Sequence, residues 1–124
     1  MRSITHRLKS FVHAFRGLKW AWGSQVHIKI HILAAILVGV AGLTADVSKG
    51  EWIALLLCIG SVFSAELLNT AIEVLANKLH PQMDPEIGKV KDLAAAAVLI
   101  CALISASVGL IIFIPHIKAA LLRF

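Results

Sequence analysis

Apolar residues dominate three long stretches of this chain, and polar residues are concentrated between them. The apolar stretches cover about residues 30–47, 51–79 and 93–115. A helix needs roughly 20 apolar residues to cross the hydrocarbon core of a bilayer, so the pattern predicts three transmembrane helices. Between the last two, a helix break is predicted across three residues that disfavour helices, Pro81, Pro85 and Gly88.

The segment before the first apolar stretch has a different pattern. In residues 1–29, apolar side chains recur at steps of three and four, and six Lys or Arg residues lie among them. This spacing predicts an amphipathic helix lying in the head-group region, with Trp20 and Trp22 at the interface. A soluble tail or a targeting peptide is the alternative interpretation.

Composition supports the same fold class. Of the 124 residues, 59% are hydrophobic and 15% are charged, and the mean hydropathy is +0.86. We therefore predict an all-α integral membrane protein, with residues 1–124 forming one membrane domain. Most of this length is needed to cross the bilayer, which leaves little for a soluble nucleotide-binding domain. No glycine-rich phosphate-binding motif is present in the sequence.

The distribution of basic residues predicts the orientation in the membrane. Six Lys or Arg residues precede the first span and three lie around the second loop, whereas the first loop has Lys49 alone. The positive-inside rule therefore places the N-terminus and the second loop in the cytoplasm. The net charge of +5 suits an anionic leaflet or an anionic nucleotide, and no nucleic-acid partner is predicted.

Cysteine and histidine residues carry less information. Cys58 and Cys101 lie inside apolar stretches without the spacing of a metal site, and we interpret them as packing residues. His27 and His31 are four residues apart and could share a metal ion on one helical face. No acidic third ligand is near them in sequence, so contact with lipid head groups is the favoured interpretation.

Two carboxylates interrupt the second apolar stretch. Glu66 and Glu73 fall on one helical face together with Asn69, Thr70 and Asn77. A charge at mid-bilayer costs at least about 2.5 kcal/mol, so carboxylates there indicate a functional site. The alternative is a hydrogen-bonded seam that only holds helices together, which accounts for Asn69 and Thr70 but less well for two acids.

Depth in the membrane suggests a role for each acid. Glu66 lies at the boundary of the hydrocarbon core, where it could act as a general base toward a lipid hydroxyl. Glu73 lies roughly 10 Å nearer the water and could hold Mg²⁺, which typically takes one or two carboxylates together with substrate phosphates. Lys91 could help to neutralise the phosphates.

Two sequence blocks resemble a known family. Glu66-Leu-Leu-Asn-Thr-Ala-Ile-Glu73 and Lys91-Asp-Leu-Ala-Ala-Ala-Ala-Val-Leu-Ile100 are similar to the signature of the prokaryotic diacylglycerol kinases, which include undecaprenol kinases. Phe15-Arg-Gly-Leu18 and Ile30-His31 resemble weaker family marks. The resemblance covers nearly the whole chain.

The resemblance implies a homotrimer of three-span protomers with an N-terminal surface helix. It also implies ATP-dependent phosphorylation of a lipid hydroxyl, with Glu66 as the catalytic base and Asn69 at the lipid substrate site. Glu73 matches a metal ligand that also contacts ATP, and Lys91 and Asp92 match the nucleotide-binding pair. Such sites are built between protomers, which agrees with our expectation that one protomer could not shield Glu66 from lipid.

The chain departs from the family pattern at the expected metal site. Gln25 stands where relatives carry a second metal-binding carboxylate, His27 stands where they carry Asn, and Asn77 stands where many carry Asp. A Gln carbonyl can ligate Mg²⁺ but brings no charge. The resemblance therefore implies a Mg²⁺ site of reduced charge, with Gln25 beside Glu73.

The predicted function is a lipid kinase that uses ATP and Mg²⁺ to convert diacylglycerol into phosphatidic acid. Undecaprenol kinase, which makes undecaprenyl phosphate, is the alternative within the enzyme class. A non-catalytic membrane trimer that binds lipid or nucleotide is the alternative outside it, and Gln25 is the residue that favours this last interpretation.

Overall fold

The computed structural model describes residues 4–122, and these residues form four α-helices and no β-strand. The helices are α1 (Ile4–Ser24), α2 (Val26–Thr44), α3 (Lys49–Leu79) and α4 (Pro85–Leu121). Arg2 and Arg123, which entered the charge count above, lie outside the described residues.

Helices α2, α3 and α4 are each long and apolar enough to cross a membrane, which confirms the prediction of three spans in an all-α membrane protein. Most side chains on these helices are exposed in the single chain. Exposed apolar surface of this extent requires lipid or other protein around it. The protein is therefore a membrane protein whose helices carry much of their apolar surface outward.

The helix bounds differ most from the predicted ones at the start of α2 and at both ends of α4. Helix α2 begins at Val26, after a break at Gln25, whereas the first span was predicted to start near residue 30. Helix α4 begins at Pro85 and continues past Pro115, so it is longer at both ends than the predicted 93–115. Proline is well tolerated in the first turn of a helix, where its missing N–H has no intrahelical partner anyway.

The start of α4 explains why the break between α3 and α4 is shorter than predicted. The Asp84 carboxylate accepts hydrogen bonds from the backbone N–H groups of Glu86 and Ile87, at 2.8 and 3.2 Å. This cap satisfies donors that the first turn leaves free. Gly88 therefore lies inside the helix rather than in the loop, contrary to the prediction.

A capping box starts α3 after a tight turn. The Ser48 side chain accepts from the Glu51 backbone N–H, and the Glu51 carboxylate accepts from the Ser48 N–H at 2.7 Å. Asp46 in this turn has a φ of 53°, a left-handed conformation that Asp tolerates better than most residues. The box ends the connection between α2 and α3 sharply and orients the two helices.

Polar contacts join α3 and α4 at three levels. Lys91 Nζ donates to Asn77 Oδ1 at 3.1 Å near the second loop, and His116 Nε2 lies 3.2 and 3.3 Å from the Glu51 carboxylate oxygens at the other end. Between them, Ser105 Oγ lies 3.4 Å from the Cys58 carbonyl oxygen. These contacts hold the most extensively packed helix pair of the fold.

The buried cluster lies near the α2–α3 turn. Val47, Leu55 and Ile112 form its centre, and Trp52 packs against it. A Cβ atom built on Gly42 would lie 2.7 Å from Trp52 Cη2 and 2.9 Å from Cζ2. Glycine at this position therefore allows the indole ring to lie against α2, an interface that the sequence pattern did not predict.

Gly42→Ala is expected to be less stable than Gly39→Ala by about 1–3 kcal/mol. Both changes add the same methyl group to α2 and gain the same helix propensity. The added methyl at Gly39 meets nothing within 4 Å, whereas at Gly42 it must displace Trp52. The free energy of unfolding in mixed micelles, measured for both variants, checks this prediction. Equal stabilities would show that Trp52 does not lie against Gly42.

The Glu51–His116 pair is expected to contribute a coupling energy of about 1 kcal/mol in a double-mutant cycle. Both side chains are 30% exposed, and the contact joins residues of different helices. The control cycle removes Lys89 and Glu86, an exposed pair at 2.8 Å within one helix, for which about 0.3 kcal/mol is expected. A coupling energy for Glu51–His116 no larger than that of the control would contradict the prediction.

Candidate functional site

Glu66 is buried within a single chain. Its residue surface is only 4% exposed, and its Oε2 atom lies 4.0 Å from Nε2 of His31 on α2. The expectation that one protomer could not shield this carboxylate is therefore wrong. Helices of the same chain cover this part of α3, and Ala21 and Ile28 at the α1–α2 junction are buried as well. They are enough to shield Glu66 from lipid and water.

The break at Gln25 brings His31 to this position. A new helix, α2, begins after this break. His31 lies about one and a half turns from the start of α2 and faces α3. The imidazole also packs edge-to-face on Phe63, with 6.5 Å between ring centroids. His27 is exposed, and no group of three metal-ligating His, Cys, Asp or Glu residues occurs among residues 4–122. The interpretation of His27 and His31 as a head-group pair is wrong for His31.

The carboxylate of Glu66 keeps free acceptor capacity. The 4.0 Å separation from His31 is longer than a hydrogen bond, and no hydrogen bond to Glu66 is formed within the described chain. A buried carboxylate is costly unless it is paired, and His31 is the one ionisable partner near it among the described residues. Glu66 thus combines burial with an unoccupied proton-accepting oxygen.

Asn69 provides a second polar atom without a partner. Its Oδ1 atom is buried and accepts no hydrogen bond from any described residue, while Thr70 beside it is also buried. Buried acceptors are nearly always hydrogen-bonded in folded proteins. An orphaned acceptor next to Glu66 therefore indicates that a donor from outside this chain, such as a ligand hydroxyl or another subunit, completes the site.

Gln25 and Glu73 are not joined by a hydrogen bond in the described part of the chain. Both are half-buried, and neither side chain forms a hydrogen bond or ion pair with another described residue. The Glu73 carboxylate is thus free to bind a cation. Mg²⁺ usually keeps several waters and binds one or two protein carboxylates together with phosphate oxygens, so this sparse donor set fits it.

Lys91 and Asp92 are placed differently from each other. Lys91 is half-buried, and its ammonium group donates to Asn77 across the α3–α4 interface. It lines a cleft of about 320 Å³ between the end of α3, the second loop and the start of α4. Asp92 is exposed and does not line this cleft.

The polar face of α3 therefore presents its groups in order along one axis. At about 1.5 Å per residue, Glu73 lies roughly 10 Å and Asn77 roughly 16 Å from Glu66. Glu66, the buried proton acceptor, lies at one end, and the carboxylate of Glu73 lies in the middle. Asn77 lies at the other end, where it accepts a hydrogen bond from Lys91 of α4 beside the cleft. This arrangement suits two substrates, an apolar molecule with a hydroxyl at the Glu66 end and a polyphosphate at the other end.

One component of the site was not predicted. The sequence pattern predicts Glu66 on a polar face, but it predicts neither the burial of Glu66 within one chain nor the position of His31 beside it. The resemblance of Ile30-His31 to a family mark was the only available signal. It carries no information about which helix face His31 contacts, because that depends on how α2 rotates against α3.

The chain is similar to known proteins over most of its length. A model of the prokaryotic diacylglycerol kinase family matches residues 12–113. The chain is 40% identical over 109 residues to the undecaprenol kinase of Bacillus subtilis (strain 168), covering 88% of this chain and 89% of that protein. It is 33% identical over 111 residues to a diacylglycerol kinase of Synechocystis sp., covering 87% of this chain and 62% of that protein.

The similarity extends to a more distant enzyme. Over 113 residues the chain is 26% identical to the diacylglycerol kinase of Escherichia coli (strain K12), covering 91% of this chain and 93% of that protein. The family match includes all three candidate spans in whole or large part and every residue of the polar face of α3. The chain therefore belongs to the prokaryotic diacylglycerol kinase family and is a membrane enzyme of the lipid kinase class.

Proposed function

We propose that this protein transfers the γ-phosphoryl group of ATP to the hydroxyl of undecaprenol at the cytoplasmic face of a bacterial inner membrane. The observation that carries the reaction is the buried Glu66 carboxylate, which has a free acceptor oxygen at the apolar end of a polar helix face. Phosphoryl transfer needs mainly positioning and charge neutralisation, which such a face can supply without a soluble kinase fold.

In the proposed reaction, Glu66 accepts the proton of the lipid hydroxyl as its oxygen attacks the γ-phosphorus. The bond between the γ-phosphorus and the bridging oxygen breaks, and ADP leaves with that oxygen. Burial excludes water from the carboxylate, which protects the phosphoryl group from hydrolysis. The Asn69 amide N–H donates to the oxygen of the lipid hydroxyl and holds it at the site, which leaves the unpartnered Asn69 Oδ1 atom to a donor from outside the chain.

The nucleotide end of the site lies toward the second loop. Lys91 binds phosphate beside the cleft that it lines, and Asp92 contacts the nucleotide from the exposed side of α4. Glu73 and the carbonyl oxygen of Gln25 would hold Mg²⁺, which supplies charge neutralisation to the phosphates when it is bound.

We assign undecaprenol before diacylglycerol on the comparisons. Identity is 40% to an undecaprenol kinase and 33% or 26% to two diacylglycerol kinases, over similar lengths. Diacylglycerol remains the second candidate substrate, because the family match carries that name and both lipids present a primary hydroxyl.

The assembly proposed for this enzyme is a homotrimer with α1 lying on the membrane surface. The large apolar side chains of α1 are about half or more exposed, as an interfacial helix requires: Leu8, Phe11, Val12, Phe15, Leu18, Trp20 and Trp22. The orphaned Asn69 oxygen supports a neighbouring subunit at the site. The N-terminus is cytoplasmic, on the same side as Lys91.

The test is transfer of labelled phosphate from ATP in mixed micelles with Mg²⁺, with undecaprenol and diacylglycerol offered in turn. Faster transfer to undecaprenol is expected. Faster transfer to diacylglycerol would reverse the substrate assignment. No transfer to either lipid would overturn the enzymatic proposal and leave a non-catalytic membrane protein that binds lipid or nucleotide.

Gln25→Glu is expected to lower the Mg²⁺ concentration for half-maximal activity by about tenfold, because it adds a second carboxylate to the proposed site. The control is Ser24→Glu, which adds the same charge at the neighbouring exposed position. A Mg²⁺ titration of each variant gives the comparison. An unchanged titration for Gln25→Glu would place Gln25 away from the metal.

A further inference from the structure

His31 is placed to balance the charge of Glu66. Its Nε2 atom lies 4.0 Å from Glu66 Oε2, and no other Lys, Arg or His side chain that the structure describes forms an ion pair with this carboxylate. The Glu66 side chain is 6% exposed, and that of His31 is 24% exposed. A carboxylate removed from water is costly unless a partner compensates its charge. The position of His31 therefore affects how well Glu66 can serve as a base.

The other charged groups around this contact point away from it. Lys19 of α1 lines a hollow beside Phe63, but it is exposed. Lys29, two residues before His31 on α2, is exposed as well. The α4 residues that share a cavity with His31 are Ala, Ser, Gly and Phe, and none of them is charged. Among the described residues, the compensation of Glu66 thus depends on one imidazole.

The His31 ring is held against α3. It packs edge-to-face on Phe63, with 6.5 Å between the ring centroids and 69° between the ring planes. Phe63 and Glu66 are three residues apart on α3, so they lie on one helical face. The imidazole therefore lies against an aromatic ring and a carboxylate of the same helix, and this packing fixes its orientation.

The contact involves one of the two Glu66 oxygens. A distance of 4.0 Å from Nε2 to Oε2 is too long for a hydrogen bond, so the interaction is electrostatic. No described residue donates a hydrogen bond to the other oxygen, Oε1. One oxygen thus faces a ring that can carry a positive charge, and the other is open to a substrate.

We propose that His31 is the positioning residue of the base. In its protonated form, the imidazole balances the charge of the buried carboxylate and keeps Glu66 Oε1 directed at the lipid hydroxyl. The inference rests on the proposed function, in which Glu66 accepts the hydroxyl proton, and it adds the residue that orients Glu66 for that step. Misplacement of the reacting groups by about 1 Å is enough to lower the rate strongly.

The first test removes the imidazole. His31→Gln is expected to lower kcat for undecaprenol roughly 10–100-fold, because the carboxylate loses its partner and its orientation. The KM for ATP should change by less than about twofold, because the nucleotide end of the site lies roughly 10 Å or more along α3 from Glu66. A retained KM for ATP also shows that the variant is folded.

The matched control is Lys29→Gln, which removes a positive charge from an exposed position on the same helix. Its kcat should stay within about twofold of that of the unmodified protein. A loss in His31→Gln no larger than the loss in Lys29→Gln would overturn the proposal. A KM for ATP that rises as much as kcat falls would also overturn it, because such a change indicates general damage to the fold.

The second test asks whether His31 acts through Glu66. In Glu66→Gln the carboxylate is absent, so adding His31→Gln should lower kcat further by less than about twofold. If the second change again lowers kcat by roughly 10–100-fold, His31 acts independently of Glu66 and the proposal is overturned.

The third test needs no turnover. Nitrogen NMR of isotope-labelled histidine rings is recorded in micelles, and the His31 signals are assigned by their loss in His31→Gln. Glu66→Gln is expected to shift the His31 ring signals and to leave those of His116, at the other end of α3, unchanged. Unchanged His31 signals would overturn the proposal even if lipid is phosphorylated. Shifted signals in a protein that phosphorylates no lipid would support the contact and overturn the proposed function alone.

Discussion

Glu66→Gln is expected to lower kcat for phosphoryl transfer to lipid by about 10²–10⁴-fold. The amide has nearly the same shape as the carboxylate but does not accept a proton from the lipid hydroxyl. The amide fills the same buried space as the carboxylate, so the fold should persist. Initial rates with labelled ATP in mixed micelles give kcat for both proteins.

The control for this change is Glu86→Gln. Glu86 is exposed on the first turn of α4 and forms a surface ion pair with Lys89, so its loss should leave kcat within about twofold. Full activity in Glu66→Gln would remove Glu66 from the role of base. In that case a different group, with His31 as the nearest candidate, would have to accept the proton.

Glu73→Gln is expected to raise the Mg²⁺ concentration for half-maximal activity by at least about 10–100-fold. Loss of a residue that only hydrogen-bonds to a metal ligand already weakens metal binding by about this factor. The effect should be large here because Gln25 brings no charge, which leaves Glu73 as the single carboxylate of the proposed pair. A Mg²⁺ titration of activity, with Glu86→Gln as the charge-matched control, measures it.

Glu66→Gln and Glu73→Gln together separate the role of the proton acceptor from the role of the metal ligand. Added Mg²⁺ should restore part of the activity of Glu73→Gln, because a weakened metal site can be refilled by mass action. It should not restore Glu66→Gln, which lacks the proton acceptor. A Mg²⁺ response that is unchanged in Glu73→Gln would show that the cation binds elsewhere.

Several features of this fold could be predicted from the sequence because they depend on local pattern. The lengths of the apolar stretches predicted the three spans, and the periodic recurrence of polar residues predicted one face carrying Glu66 and Glu73. Helix ends were less predictable. Pro85 and Gly88 were expected to break the helix, but the Asp84 cap allows α4 to start directly at Pro85.

Other features could not be read from the sequence because they depend on how helices rotate against one another. Gly42 contacts Trp52, and His116 contacts Glu51 from 65 residues away. Helical periodicity identifies the members of a face, yet it does not specify the partner that this face contacts. For the same reason, the sequence placed His31 among the lipid head groups, whereas the fold turns it toward Glu66.

By itself, the sequence determined the membrane class, the number of spans and the polar face on α3, because hydrophobic length and 3.6-residue periodicity are properties of single helices. Tertiary structure alone decided that Glu66 is buried within one chain and that His31 faces it. These features arise where α2, α3 and α4 pack together, and packing depends on the shapes of all three surfaces at once.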